Sequence, residues 1–207
     1  RPDLFSLTIE KEDPLYKLVV EADERMDANG KVLSPLALTT IPGLIKKIKA
    51  AGCTSVAIAF LHSYKNPTHE IAIKKKLLNA GIQFVTLSHE VSGQIKILPR
   101  AETAVTNAYL APIIQSYLNR IQNKLTSAQL KIMTSAGGLV NAQQFFPKDS
   151  LLSGPAGGVV GAAVSGRYSG VDKLIAFDMG GTSTDVSLFN KTFSYRYESK
   201  VGSVRIL

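Results

Sequence analysis

The run Phe177-Asp178-Met179-Gly180-Gly181-Thr182-Ser183-Thr184-Asp185-Val186 constrains this chain more than any other. An apolar stretch, Leu174 to Phe177, ends in an acid, and a Gly-Gly pair turns the chain. Three hydroxyl residues follow, and a second acid opens the stretch Val186 to Phe189. Glycine accepts positive φ and lets N–H groups approach an anion with no Cβ in the way. Hydroxyls add donors, and carboxylates orient a divalent cation or a water. The layout predicts a strand–turn–strand with the N–H groups of Gly180 and Gly181 pointing into a cleft. Period two puts Ser183, Asp185 and Ser187 on one face and Thr184, Val186 and Leu188 on the other, so Asp185 is expected on a polar face. The plain alternative is a hairpin whose Asp and Thr residues only satisfy turn N–H groups.

A second glycine cluster precedes it, from Leu151 to Ala162. Ser153 reads as an N-cap, and small residues from Ala156 to Ala163 enter a helix. A helix N-terminus offers free N–H groups and the positive end of a dipole, which suits an anion at Ser153, Gly154, Gly157 and Gly158. Equally, small residues here permit close helix packing. Two other nucleotide motifs are excluded. No Gly-x-Gly-x-x-Gly follows a strand. The nearest approach to a P-loop, Gly161 to Tyr168, has Arg167 and Tyr168 where Lys and Ser/Thr are required.

The rest of the chain alternates as an α/β protein does. Expected strands are Tyr16 to Glu21, Ser55 to Leu61, Gln83 to Leu87, Leu130 to Thr134, Tyr195 to Tyr197 and Val204 to Leu207. A turn falls at Asp27 to Gly30. A helix from Ile41 to Ala51 stops at Gly52. The next has Asn66 as N-cap, Pro67 at N1 and Glu70 in its first turn, and ends at Gly81. A long helix spans Ala101 to Leu125, where Pro112 is expected to kink or divide it. The change of pattern places a boundary near residues 92 to 100, giving units 1–96 and 97–207.

Composition narrows the function. Apolar residues make up 45% of the 207, enough for a core. No apolar run approaches the ~20 residues of a membrane span. The net charge of +8 comes from scattered Lys and Arg, with runs only at Lys46 to Lys49 and Lys74 to Lys76. No basic–aromatic platform accompanies them, so neither nucleic acid nor membrane is expected as a partner. The single Cys53, read as a small core residue, and the absence of a signal-peptide pattern fit a cytoplasmic protein. His62 lies at a strand's C-terminal end and His69 in a helix's first turn. Capping and loop-fixing roles suit them better than zinc, because His-Glu-x-x-His is absent. His89 has no evident partner.

Residues Leu151 to Leu188 resemble the hydantoinase A/5-oxoprolinase family, whose members include carboxylase subunits acting on acetone-like substrates. The likeness extends through Leu61-His62-Ser63-Tyr64-Lys65-Asn66-Pro67-Thr68-His69-Glu70, through Thr103 to Leu110, and through Ile132 to Leu139. The opening Arg1-Pro2-Asp3-Leu4-Phe5 also fits, as an internal segment. The chain departs from the family at Ala136, where Asn is usual. It departs again at Lys96 to Arg100, where only Arg100 survives of an Arg-Glu-Tyr-Glu-Arg-like stretch.

The resemblance implies a partial actin/Hsp70/sugar-kinase-like (ribonuclease H-like) ATPase fold in two subdomains. It implies ATP and Mg²⁺ (or another divalent cation), with Asp178 and Asp185 as catalytic and metal-orienting acids. Gly180, Gly181, Thr182, Ser183 and Thr184 would then hold phosphates, as would Ser153, Gly154, Gly157 and Gly158. The implied activity is ATP-dependent hydrolysis of a cyclic amide, a hydantoin or 5-oxoproline, with a hydantoinase B-like subunit or domain as partner. A carboxylase subunit of the same family and a non-catalytic nucleotide-responsive module are the alternatives. Family members carry an earlier copy of the glycine–acid motif and continue beyond the middle one, so the chain is expected to be a fragment. On this expectation the 207 residues fold cooperatively but bind Mg-ATP no better than ~1 mM, about −4 kcal/mol. Calorimetric titration checks this, and micromolar affinity would overturn it.

Overall fold

The computed structural model describes residues 5, 7–8, 13–125, 127–202 and 204–207, and the opening Arg1 to Leu4 lies outside them. Its first half is built on two parallel strands, β3 (Ser55–Ile58) and β4 (Phe84–Leu87), in register from Ser55↔Phe84 to Ile58↔Leu87. Alternation sends Val56, Ile58, Val85 and Leu87 to one face. There α1 (Ile41–Ala50) and α2 (Thr68–Asn79) close a core of Ile41, Ile48, Ile58, Ile73, Leu77, Ile82 and Leu87. Ser55 and Thr86 turn to the other face, against α4 (Ile97–Gln122). Ser55 Oγ donates to Ala108 O at 2.6 Å, and Asn107 Nδ2 donates to Thr86 Oγ1 at 2.9 Å. A helix can lie this close because its buried side is small and polar: Thr103, Ala104, Thr106, Asn107, Ala108 and Ala111.

Upstream, the hairpin β1 (Arg25–Met26) and β2 (Val32–Ser34) turns at Asp27 to Gly30, as expected. Asp27 Oδ1 accepts from the N–H groups of Asn29 and Lys31, each at 2.9 Å. The expected strand at Tyr16 to Glu21 does not form. Val20 and Ala22 do pack on the core in alternation, but no described strand lies beside the segment to share a ladder. Gly81 ends the α2 segment at φ 86°, a conformation that side chains resist. Helix α2 itself starts at Thr68, one residue later than expected. Asn66 Oδ1 still accepts from the Thr68 N–H at 3.2 Å, while Asn66 Nδ2 donates to Gly30 O.

Glu70 is the largest departure in this half. Expected as an acid in the helix's first turn, it is there but fully buried, as is Arg100. Its Oε1 accepts from the Phe60 N–H at 3.0 Å and from Ser88 Oγ at 2.6 Å. Its Oε2 lies 2.6 Å from His89 Nδ1, which gives His89 the partner that the sequence did not reveal. Arg100 Nε donates to Ser88 Oγ at 3.0 Å, and its other nitrogens donate to Gln94 O and Phe60 O. Burial draws the Arg100 guanidinium below its ordinary range, while Glu70 and the Tyr64 ring it covers oppose that shift. His69 in turn pairs with Glu24 at 2.7 Å.

Helix α4 starts four residues earlier than expected, just after α3 (Ser88–Val91), and Pro112 does not divide it. Downstream of it come the hairpin β5 (Lys131–Met133) and β6 (Leu139–Asn141), then α5 (Ser153–Tyr168). The antiparallel pair β7 (Lys173–Met179) and β8 (Thr184–Asn190) follows, then the short pair β9 (Ser199–Val201) and β10 (Val204–Ile206). Tyr195 to Tyr197 is not a strand: pairing starts at Ser199, and both tyrosines are exposed. Side chains of α4 receive this second half. Asn107 Oδ1 accepts from the Lys148 N–H at 3.1 Å, and Thr103 Oγ1 accepts from the Leu207 N–H at 3.1 Å.

Helix α5 lies on β7 and β8 through its small residues, and the contact is tightest at Gly166. A Cβ there would stand 2.4 Å from Leu174 Cδ2 and 3.0 Å from Val171 O, whereas at Gly161 nothing lies within 4 Å. Gly166→Ala is therefore expected to cost about 1–3 kcal/mol by overpacking. Gly161→Ala should gain up to ~1 kcal/mol from helix propensity. Urea denaturation of the two variants checks the contrast, and equal midpoints would contradict it.

Candidate functional site

The glycine–acid run folds as a hairpin, with β7 and β8 in register from Lys173↔Asn190 to Met179↔Thr184. The turn is closed by the Gly180 N–H, which donates to Ser183 O at 2.9 Å. That corrects the expectation for Gly180, whose N–H is engaged inside the turn and not free for a ligand. Among the described residues, no hydrogen bond engages the Gly181 N–H or the hydroxyls of Thr182 and Ser183.

Asp178 and Asp185 are direct cross-strand partners, both exposed. Like charges set opposite each other destabilise a sheet unless a cation lies between them. Among the described residues, no group of three or more His, Cys, Asp or Glu side chains could hold a metal. A pair of carboxylates nonetheless suits Mg²⁺, which binds through one or two carboxylates and completes its shell with phosphate oxygens and water. The two acids and the hydroxyl-rich turn thus fit a Mg²⁺–phosphate ligand.

The face carrying the acids is polar only at its tip. Asp178, Ala176 and Leu174 pair with Asp185, Ser187 and Phe189, and Phe189 is buried. This side packs on α5, where Arg167 lies 5.5 Å from the Phe189 ring centroid. The opposite face is apolar and exposed, with Ile175 at 72% and Leu188 at 74%, joined by Phe177, Met179 and Val186. Period two was the correct template, but solvent in this structure lies on the hydrophobic side.

Helix α5 brings the second glycine cluster to the acids. A Cβ on Gly158 would stand 3.6 Å from Asp178 Oδ2, so the carboxylate rests against the helix backbone. Gly157 faces Met133, with Cγ 3.6 Å from an added Cβ, and Gly154 has nothing within 4 Å. Ser153 is not the N-cap. Leu152 holds that position without a side-chain bond, and Ser153 Oγ donates to Ser150 O at 3.0 Å. The loop between β5 and β6 also leans on α5. Gly137, at φ 77°, approaches Val160 so closely that a Cβ would sit 3.0 Å from Cγ2.

One feature escaped the sequence reading. A cleft of about 740 Å³ opens beside Leu152, lined also by Glu102, Arg196, Glu198, Lys200 and Arg205. Its signal was the alternation Arg196, Glu198, Lys200 at every second residue.

Together these elements make a mixed α/β chain with the actin-like ATPase fold, in which the glycine–acid hairpin precedes the strand pair β9–β10. The chain belongs to the hydantoinase/oxoprolinase family: the Hydantoinase/oxoprolinase model matches residues 100–207, and the Hydantoinase/oxoprolinase N-terminal region matches residues 1–81. It is 41% identical to a 5-oxoprolinase of Saccharomyces cerevisiae, over 91% of this chain and 17% of the yeast protein. It is 33% identical to the caprolactamase subunit alpha of Pseudomonas jessenii, over 79% of this chain and 25% of that protein. Two solved structures share the fold. The nucleotide-free acetone carboxylase superposes with a TM-score of 0.73 at 24% identity, covering 89% of this chain and 28% of that one. The ATP-dependent caprolactamase of Pseudomonas jessenii superposes with a TM-score of 0.71 at 29% identity, covering 90% and 29%. The chain thus spans about a sixth to a quarter of these two curated relatives' lengths. Among its described residues, no helix is long and apolar enough to cross a membrane.

If the facing acids share a cation site, Mg²⁺ relieves their repulsion. Millimolar MgCl₂ should then raise the melting temperature of the wild-type chain by about 1–4 °C and leave Asp185→Asn unchanged, as expected for a weak site stabilised by mass action. Scanning calorimetry at constant ionic strength checks this. An equal rise in both proteins would exclude a site at the pair.

Proposed function

We propose that the protein containing this chain is an ATP-dependent hydrolase of cyclic amides, opening a hydantoin or 5-oxoproline ring. The observation that carries the reading is family membership together with two facing acids at a glycine- and hydroxyl-rich turn. An unstrained five-membered lactam is a poor electrophile. Transfer of the γ-phosphoryl group of ATP to the amide oxygen would yield ADP and an activated carbon. Water would then add at that carbon, the ring C–N bond would break as the nitrogen takes a proton, and a second water would release phosphate from the resulting acyl phosphate to leave the carboxylate.

On this reading the free N–H of Gly181 and the hydroxyls of Thr182, Ser183 and Thr184 bind phosphate oxygens. Asp178 and Asp185 hold Mg²⁺ and orient the attacking oxygen. Gly154, Gly157 and Gly158 keep the start of α5 open to that charge, and Gly158 lets the Asp178 carboxylate lie against the helix. Mg²⁺ bound there would offset negative charge as the phosphoryl group transfers. The caprolactamase relative is a subunit alpha, and a second subunit or domain is proposed here too. Cytoplasmic location belongs to the same proposal.

In the whole protein, Asp178→Asn or Asp185→Asn should lower ATP-dependent turnover about 10- to 1,000-fold, the usual scale for lost electrostatic catalysis. Folding should hold, because both side chains are exposed. Turnover is measured against hydantoin and 5-oxoproline, with acetone plus bicarbonate as a parallel arm. Near-wild-type rates in both variants would remove the assigned roles. ATP consumption only with acetone would replace hydrolysis by carboxylation.

A further inference from the structure

The carboxyl ends of β3 and β4 lie side by side, and open α/β sheets hold their ligands at such ends. The two loops leaving them touch, with Ser63 Oγ 3.2 Å from Ser88 Oγ. This edge retains two unfavourable features. His62 holds φ at 64°, a conformation that side chains resist, and buries its Nδ1 with no hydrogen-bond partner among the described residues. Backbone strain and an unpaired buried polar atom are features that concentrate where a protein acts.

The reactive group at this edge is His89, just past the end of β4. Its Nδ1 lies 2.6 Å from Glu70 Oε2, and its backbone N–H donates to the same oxygen at 3.3 Å. Glu70 has no exposed surface, and Ser88 Oγ and the Phe60 N–H donate to its other oxygen at 2.6 and 3.0 Å. A carboxylate only accepts, so Nδ1 carries the ring proton and Nε2 keeps the lone pair. Among the described residues no hydrogen bond engages Nε2, and 18% of the His89 side chain is exposed. The charges around the ring are engaged elsewhere. Arg100 Nε of α4 donates to Ser88 Oγ at 3.0 Å, and Lys74 Nζ of α2 to Glu90 at 2.9 Å. The His69–Glu24 pair has the same chemistry, but His69 is a buried residue of α2.

Ring opening needs a group of this kind. The water that adds at the activated carbon must lose a proton, and the ring nitrogen must gain one. The β7–β8 hairpin carries carboxylates and hydroxyls but no imidazole. We infer that His89 is the proton carrier of lactam hydrolysis, with Glu70 as its positioning residue and the ring held at the carboxyl edge of β3 and β4. Nε2 takes a proton from water as the new C–O bond forms. It returns that proton to the ring nitrogen as the C–N bond breaks. Between the two transfers Glu70 stabilises the imidazolium, as the buried acid of a Ser-His-Asp triad does. The inference rests on the hydrolase reading above and adds a catalytic residue to it.

Two measurements test it. In the first, ¹⁵N-histidine labelling of the 207-residue chain reports which ring nitrogen is protonated when the imidazole is neutral. His89 protonated at Nδ1 is expected. A ring protonated at Nε2 would overturn the positioning role of Glu70, and the inference with it.

In the second, the whole protein carrying His89→Gln should lose about 100-fold or more in kcat for 5-oxoproline, the scale of general acid–base catalysis, with KM for ATP unchanged. Glutamine keeps an N–H for Glu70, so the melting curve should match that of the wild type. Added imidazole should raise the turnover of His89→Ala at least tenfold, which a purely structural role would not allow. His69→Gln should keep the wild-type kcat. Near-wild-type kcat in His89→Gln, or an alanine variant that imidazole leaves inactive, would overturn the inference and leave the hydrolase reading standing. Absence of lactam turnover in the wild type would instead defeat that reading and the proton-carrying role together, with the labelling experiment still deciding what Glu70 does to the ring.

Discussion

Two opposite charges with no contact with water, Glu70 and Arg100, meet through the hydroxyl of Ser88. Removing Glu70 would leave the buried Arg100 guanidinium without a nearby carboxylate, a loss on the order of 3–5 kcal/mol, whereas Glu70 without Arg100 would still keep Ser88, His89 and the Phe60 N–H. Replacing the serine would separate both from the group they share. Through this cluster the turn after β3, the first turn of α2, the β4–α3 junction and the start of α4 are fixed to one another. The placement of α4 follows from it, and α4 holds the second half through Asn107 and Thr103. The polar cluster acts as a cornerstone for parts of the molecule it never touches.

Local chemistry was legible in the sequence. The helix stops at Gly52 and Gly81, the Asp27 turn, the buried strands β3 and β4, and the β7–β8 hairpin are written in residues adjacent along the chain. What escaped depends on partners distant in sequence. Tyr16 to Glu21 has the alternation of a strand, but no strand among the described residues pairs with it. Glu70 reads as a first-turn acid because nothing near it announces that Ser88, His89 and the Phe60 N–H converge there. Ser153 has the right side chain for a cap, but its hydroxyl turns back to Ser150 O and the helix starts one residue earlier than a cap would allow.

The candidate site divides the same way. Composition and spacing marked Asp178, Asp185 and the turn between them. They did not show that the Gly180 N–H closes the turn, or that Gly158 lies against the Asp178 carboxylate. The glycine cluster of α5 serves both of the purposes weighed for it. At Gly166 it admits Leu174 as a packing contact, and at Gly158 it admits the acid. One helix thereby sets both the stability of the hairpin and the position of its charge.

The β7–β8 ribbon pairs only with itself among the described residues. In a two-stranded antiparallel ribbon, every second amide faces the partner and the others point outward to water. Deuterium uptake along Lys173–Met179 and Thr184–Asn190 would then alternate between slow and fast at successive residues. A ribbon that gains a third strand loses that alternation on one side only, so the exchange pattern records which edge has been covered.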